Sequence, residues 1–236
     1  MINNQKRSKK QKTIVMSLGG SIICPDKINI EFLKEFKNII LKELKENNTR
    51  FILICGGGMT ARNYISSAKK LGVQDSDELD WMGIHATYLN ASIVKTMFKE
   101  DAYEYIINNP TTKFEPDRNI IVASGWKPGF STDMDAVLLA KQFNADTVLN
   151  VSNIDYVYSA DPKKDSNAIK IDKLTWKEYL NIIGEEWIPG KNAPFDPVAS
   201  KEAMENNITV RMITATIENI KKYLETDESI GTIIKN

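Results

Sequence analysis

Histidine appears once in this chain, at His85, and cysteine twice, at Cys24 and Cys55. The two cysteines do not have metal-ligand spacing, which argues against a zinc-type site, and both read as free thiols suited to a reducing compartment. No apolar run approaches the ~18 residues of a membrane-spanning helix, so no membrane partner is expected. An excess of charge is missing as well. The 31 Lys and Arg balance 31 Asp and Glu, and the whole-chain charge makes no case for nucleic acid as a partner. A Walker A lysine motif, a Gly-x-Gly-x-x-Gly fingerprint and a Gly-x-Ser-x-Gly elbow are all absent, which withdraws support from the commonest nucleotide folds and from serine hydrolysis. Cys24 and Cys55 lie in or beside apolar runs that read as buried strands, and His85 sits within an amphipathic helix pattern. Nucleophilic catalysis therefore has little to work with.

What is present describes an ordinary globular chain: 236 residues, 42% hydrophobic and 26% charged. Residues 1–12 carry Lys6, Arg7, Lys9, Lys10 and Lys12 with no apolar stretch before Thr13. That pattern is not a secretory leader and implies a cytoplasmic location. It reads as a flexible basic arm, with a nucleic-acid or partner-binding arm as the alternative. No Ser/Gly-rich linker and no repeat of fixed period divides the rest, so residues 13–236 read as one domain with two lobes, about 13–145 and 146–236.

Within that domain short β-branched runs alternate with segments of helical period. Strands are expected at Ile14–Leu18, Phe51–Cys55, Ile120–Ala123, Thr147–Val151, Thr209–Ile213 and around Thr232–Ile234. Ile30, Leu33, Phe36, Ile40 and Leu44 mark a helix at steps of three and four, and further helices are expected near 59–71, 80–98, 176–183, 197–206 and 217–224. Another follows the loop at 124–129 and carries Ala136, Leu139, Ala140 and Phe143. Alternation of this kind predicts a mostly parallel sheet covered by helices on both faces.

The glycines carry the functional argument. Gly19-Gly20, Gly56-Gly57-Gly58 and Gly125 to Gly129 each follow an expected strand at its carboxyl end, the edge on which open α/β sheets bind ligands. Glycine there lets backbone approach an anion, and the next helix points unpaired N–H groups at it. Arg62, one turn into the helix after Gly58, is placed to grip a phosphate through two parallel bonds, or else is a solvated helix arginine. Thr132 and Asp135 have the spacing of a capping box, although hydroxyls at Ser131 and Thr132 can also bind phosphate. Asp133 beside a phosphate site calls for a metal or a lysine between them; a helix-dipole role is its alternative. Phosphoryl transfer needs positioning and positive charge more than a nucleophile, and these residues supply both.

The loops resemble those of the amino-acid-kinase superfamily, most closely the UMP kinases of the archaeal type, from about Ile14 to the carboxyl end. The segments that carry the likeness are Leu18-Gly19-Gly20-Ser21, the stretch from Gly56 to Arg62, Pro128-Gly129-Phe130-Ser131-Thr132-Asp133, the stretch from Ser152 to Pro162, and Gly231-Thr232-Ile233-Ile234. The resemblance implies an α/β/α sandwich around a central, mostly parallel eight-stranded sheet, assembled as a homohexamer built from dimers. It implies transfer of the γ-phosphoryl group of ATP to UMP, with Mg²⁺ accompanying the ATP. By this likeness Gly19, Gly20, Gly58 and Arg62 face the ATP phosphates, and Ser152, Asn153, Tyr158 and Asp161 line the adenosine pocket. Gly57, Asp80, Trp126, Lys127, Pro128, Gly129, Phe130, Ser131 and Thr132 hold UMP. Arg62, Asp133, Asp196 and Lys201 are the candidate catalytic residues.

Three positions depart from the wider superfamily. Met16 stands where many members have a strand lysine that the archaeal-type enzymes also lack, and Trp126 and Tyr156 replace a threonine and a glycine with added bulk. Within the superfamily the alternatives are acceptors such as an amino-acid carboxylate, carbamate or isopentenyl phosphate. Outside catalysis, the alternative is a nucleotide- or oxyanion-binding relative that has lost transfer.

Overall fold

The computed structural model describes residues 11–186 and 193–236. The first ten residues of the basic arm lie outside the described residues, and Lys12, assigned to that arm, instead opens the first strand. The order is β1 (Lys12–Leu18), α1 (Gly20–Ile23), α2 (Ile30–Glu46), β2 (Thr49–Cys55), α3 (Gly58–Lys70) and α4 (Ser76–Phe98). Then come a 3-10 turn (Lys99–Asp101), β3 (Ile120–Ala123), α5 (Thr132–Gln142) and β4 (Thr147–Ser152). The chain continues with β5 (Val157–Tyr158), β6 (Lys170–Ile171), β7 (Lys173–Thr175) and α6 (Trp176–Ile183). It ends with α7 (Pro197–Glu205), β8 (Thr209–Thr214), α8 (Ile217–Thr226) and β9 (Gly231–Lys235).

Local chemistry sets most helix starts. The side chains of Asn29, Asp75, Ser131, Asp196 and Thr216 each accept a first-turn N–H at the start of α2, α4, α5, α7 and α8. Thr175 and Glu178 close a full capping box on α6. At α5 the cap is Ser131, which accepts from the Met134 N–H at 3.2 Å. Thr132 is thus already inside the helix, and Asp135, expected to complete a capping box with it, is buried instead.

The main sheet runs β3-β2-β1-β4-β8-β9-β7. β3, β2, β1, β4 and β8 are mutually parallel, while β9 turns antiparallel against β8. Period-two alternation splits the buried strand residues into two cores. Val15, Ile52, Ile54, Val148 and Val210 pack with α5, α6 and α7 on one face. Ile14, Met16, Leu18, Phe51, Leu53 and Leu149 pack with α2, α4 and α8 on the other. The result is the expected three layers, with one difference in the middle layer: seven strands among the described residues rather than eight. Beyond β3 the segment 102–107 takes the edge position, but it makes only two isolated bridges, Ala102 to Ile120 and Ile107 to Ala123, because the chain bends at Glu104-Tyr105 between them. The β5–β6 pair forms a separate antiparallel ladder.

Both cysteines are free and buried. Among the described residues no helix is long and apolar enough to cross a membrane. Phe36, with no exposed surface, is the anchor of α2 on its face of the sheet. Phe36→Ala is expected to cost about 3–5 kcal/mol. The expected readout is a lower urea midpoint with an unchanged slope.

Candidate active site

Because β1, β2, β3 and β4 are parallel and in register, Leu18 beside Cys55 and Val151, Ile54 beside Ala123, their carboxyl ends open on one rim. The three glycine turns leave from that rim. The Gly19 N–H donates to Val151 O at 2.9 Å and the Gly56 N–H to Leu18 O at 2.9 Å. Gly20 and Gly58 then meet backbone to backbone. A Cβ on Gly20 would lie 1.9 Å from the Gly58 nitrogen, and one on Gly58 (φ +61°) would lie 2.2 Å from Gly20 O. No other residue fits either position without moving the turns apart. Asn90, from α4, fastens the second turn by donating to Gly56 O at 2.7 Å and Gly57 O at 3.1 Å.

The second turn opens α3, whose cap residue Gly57 supplies no side-chain oxygen and whose first turn holds no acid. The Met59 N–H of this turn is taken by Cys24 O at 3.0 Å, but the positive end of the helix dipole still faces the rim, an arrangement that favours a phosphate. Next to it lies a pocket of about 380 Å³, within the ~300–1,000 Å³ usual for small-molecule sites. Of the residues selected from the sequence, Gly57, Gly58, Arg62, Asp80, Gly129, Phe130, Ser131, Thr132 and Asp196 line it. The Asp80 carboxylate accepts from the Gly129 N–H at 3.0 Å and so ties α4 to the third turn. Trp126, Lys127 and Pro128 are not in this lining. Trp126 stands edge-on to Phe130 at 4.7 Å, and the Lys127 ammonium lies 4.2 Å above the Trp126 ring and 4.7 Å above Phe130. The added bulk of Trp126 is thus turned away from the pocket instead of filling it.

Across the rim, the Asn153 side chain donates to Ser21 Oγ at 3.1 Å, bridging the β4 exit to the first glycine turn. Ser152 Oγ accepts from the Ile154 N–H at 3.2 Å. Tyr158 donates to Asp155 at 3.1 Å, and Lys170 pairs with the same carboxylate at 2.6 Å, holding it below the usual carboxylate range. The ring of Tyr156 lies beneath that ammonium, at 4.7 Å. Asp161 shapes the local turn, its carboxylate accepting from the Lys163 N–H at 3.0 Å. Lys201 is drawn to Glu185 at 3.3 Å and does not line the pocket.

Asp133 is the junction between the two sides. One oxygen faces Ser17 Oγ at 3.4 Å and Asn150 Nδ2 at 3.5 Å, and the other accepts the Asp196 N–H at 3.1 Å. Desolvation lifts its pKa to about 7, opposed by the Asp196 N–H, aided by the Asp196 charge and opposed by the Ser17 hydroxyl. Asp135, on the next position but one, is 1% exposed, and among the described residues neither carboxyl oxygen has a partner in hydrogen-bond geometry. Burial pushes its pKa to about 8, against the pull of the Trp126 N–H and with the Asp133 charge adding to the rise. Ser17, Asn90 and Asn150 were not singled out from the sequence, and Asp135 was read there only as a capping residue. Their shared signal is a polar residue within an otherwise apolar run or face, which marks a buried group in need of a partner.

The fold holds both acids protonated far above the ~3.9 of an exposed aspartate. The folded chain therefore retains protons that the unfolded chain has released, and stability falls as pH rises from about 4 toward the folded values of about 7 and about 8. The melting temperature is expected to drop between about pH 5 and pH 9, and Asp135→Asn to flatten the alkaline part of that drop. Melts of both proteins followed by circular dichroism check this; parallel curves would contradict it.

The model of the amino acid kinase family matches residues 12–214. A uridylate kinase of Archaeoglobus fulgidus is 34% identical over 226 residues, covering 94% of this chain and 99% of that protein. A uridylate kinase of Methanosarcina acetivorans is 37% identical over 194 residues, 80% of each chain. The crystal structure of uridylate kinase from Archaeoglobus fulgidus matches with a TM-score of 0.78 over 94% of this chain and 99% of that one. The crystal structure of UMP kinase from Bacillus anthracis, 20% identical, shares the fold with a TM-score of 0.74 over 95% of this chain and 96% of its own.

Proposed function

The chain belongs to the amino acid kinase family, and from that footing we propose that it moves the γ-phosphoryl group of ATP to UMP, yielding UDP and ADP. The observation that carries this reading is the meeting of Gly20 with Gly58 at the head of the Arg62 helix, beside a pocket sized for one small molecule. Two phosphates laid across that contact would face each other over bare backbone.

In this reading UMP fills the pocket, held by Gly57, Asp80 and the turn that ends at Phe130, Ser131 and Thr132. ATP lies on the other side of the rim, with phosphates at Gly19, Gly20, Gly58 and Arg62 and the adenosine near Ser152, Asn153, Tyr158 and Asp161. The acceptor side thus comes mainly from residues 13–145 and the adenosine side from 146–236. A UMP phosphate oxygen is already an anionic nucleophile, so no general base is required. Catalysis reduces to alignment and charge stabilisation.

Met16 is buried among apolar neighbours and offers no charge at the β1 position. The positive field must come from Arg62, the α3 dipole and Mg²⁺ carried by ATP. Among the described residues no group of three or more His, Cys, Asp or Glu forms a metal cage, which suits an ion already chelated by nucleotide phosphates; Asp133 and Asp196 are the carboxylates placed to meet it. When bound, the ion neutralises phosphate charge. Lys201 can join by exchanging Glu185 for phosphate, a small cost for an exposed ion pair. The role extends to pyrimidine nucleotide biosynthesis in the cytoplasm by a homohexamer, a trimer of dimers, for which exposed Leu71, Leu89 and Ile93 offer apolar contact surface.

An ADP-coupled assay with UMP, glutamate, carbamate and isopentenyl phosphate tests the acceptor. Turnover with UMP is expected; turnover with another acceptor in its place, or tight binding of ATP and UMP without ADP release, rejects the proposal. Arg62→Ala is expected to lower turnover by at least ~10²-fold, the scale of one preorganised charge contact. A near-unchanged rate would remove Arg62 from the site.

A further inference from the structure

The two ends of the acceptor pocket differ in chemistry. At Gly57 and Gly58 it meets the head of α3 and its dipole, the end that suits a phosphate. Away from that head the walls are Ile65 of α3, Gly83, Ile84 and Thr87 of α4, and Gly125 and Phe130 of the third turn. They form a mainly apolar slot for the base. Phe130 is the aromatic residue of this lining. Trp126 stands edge-on to it at 4.7 Å and itself walls a separate cleft with Trp81 and Tyr88. The Lys127 ammonium, 4.2 Å above Trp126 and 4.7 Å above Phe130, holds the two rings together.

Uracil and cytosine share one outline and differ in pattern. Uracil accepts at O4 and donates at N3, whereas cytosine donates from its 4-amino group and accepts at N3. A pocket tells them apart with groups fixed as donors, and the donors on these walls are committed elsewhere. The Gly125 N–H donates to Thr87 Oγ1 at 2.8 Å, the Gly129 N–H to Asp80 at 3.0 Å and the Phe130 N–H to Lys127 O at 3.2 Å. Gly83 and Ile84 lie inside α4, where helix bonds take their N–H groups. The Thr87 hydroxyl proton goes to Ile84 O at 2.6 Å. Ser131 and Thr132 bring hydroxyls to the lining, and a hydroxyl donates or accepts as its partner requires. The second oxygen of Asp80 only accepts, but each base has an N–H to give it, N3–H in uracil and the 4-amino group in cytosine.

We propose that CMP is a second acceptor, because the pocket measures the outline of a pyrimidine and does not read its 4-substituent. The inference rests on the acceptor reading given above and widens its substrate class. In the added reaction a phosphate oxygen of CMP bonds to the γ-phosphorus of ATP as the bond from that phosphorus to the β,γ-bridging oxygen breaks. The electron pair of the broken bond stays on ADP, and CDP is the other product. A site that hydrogen-bonds a distinguishing group rejects the wrong substrate by about 10⁴–10⁵-fold, whereas an apolar slot discriminates by only about 10–200-fold. The walls described here are of the second kind.

The test measures steady-state turnover of the full chain with saturating MgATP and either UMP or CMP, with UDP and CDP identified by anion-exchange chromatography. The kcat/KM for CMP is expected to fall within ~200-fold of that for UMP. A larger preference for UMP overturns the inference and leaves UMP as the acceptor. Absence of turnover with both rejects the acceptor reading as well, so the two failures are distinguishable. Phe130→Ala is expected to raise KM for both nucleotides about tenfold, the scale of one lost stacking contact, with the CMP-to-UMP ratio of kcat/KM unchanged. Thr132→Val is expected to lower kcat/KM for both by the same factor. A ratio that shifts in either variant would reveal directional reading of the base and overturn the inference.

Discussion

The backbone contact between Gly20 and Gly58 is the constraint around which the rim is built. A side chain at either position would push the two turns apart, since its Cβ would fall 1.9 Å (at Gly20) or 2.2 Å (at Gly58) from a backbone atom of the other turn. Held together, the turns bring the exit of β1 against the start of α3, and with it Arg62 and the open end of the helix dipole. Asn90 secures the arrangement from behind, its amide shared between two carbonyls of the second turn. Parallel register supplies the rest, because strands that run the same way must release their loops on the same edge.

Asp133 performs a similar joining role across the two halves of the rim. Its contacts reach β1 through Ser17, β4 through Asn150 and the start of α7 through the Asp196 N–H. The Asp196 carboxylate meanwhile caps its own helix by accepting from the Ala199 N–H at 2.7 Å. A carboxyl raised to about 7 by burial sits near the point where a small change in local field decides its charge. Asp135, buried beside it with the Trp126 N–H pulling on its carboxylate, is a second raised acid under the same loop.

Strands and helices are legible in the sequence wherever one period dominates. α6 and β3 occupy the spans read from the sequence, and α2, α3, α7 and α8 differ by a residue or two at their ends, the usual uncertainty of frayed termini. The short pieces are not legible: α1, β5, β6 and β7 are too brief for periodicity to register, and the three strands exist through pairing with other segments. The cap of α5 lies one residue before its expected place because Ser131 and Thr132 are chemically equivalent candidates, and only the backbone angle at Ser131 (φ −85°, ψ 159°) decides between them. Much of the pocket lining is readable through the glycine turns. Adjacency in sequence groups Trp126, Lys127 and Pro128 with it, yet a turn points neighbouring side chains in different directions.

The order of β-branched runs, helical periods and glycine turns was enough to determine a layered α/β architecture with its functional loops on one edge. Those features depend on local periodicity and on strand direction, which a linear chain displays. Which glycine touches which, that Asp135 is buried, that Lys201 turns to Glu185, and that Trp126 walls a separate cleft were decided by tertiary packing. Each of these depends on the distance between residues far apart in the chain, and that distance is set only when both faces of the sheet have been covered.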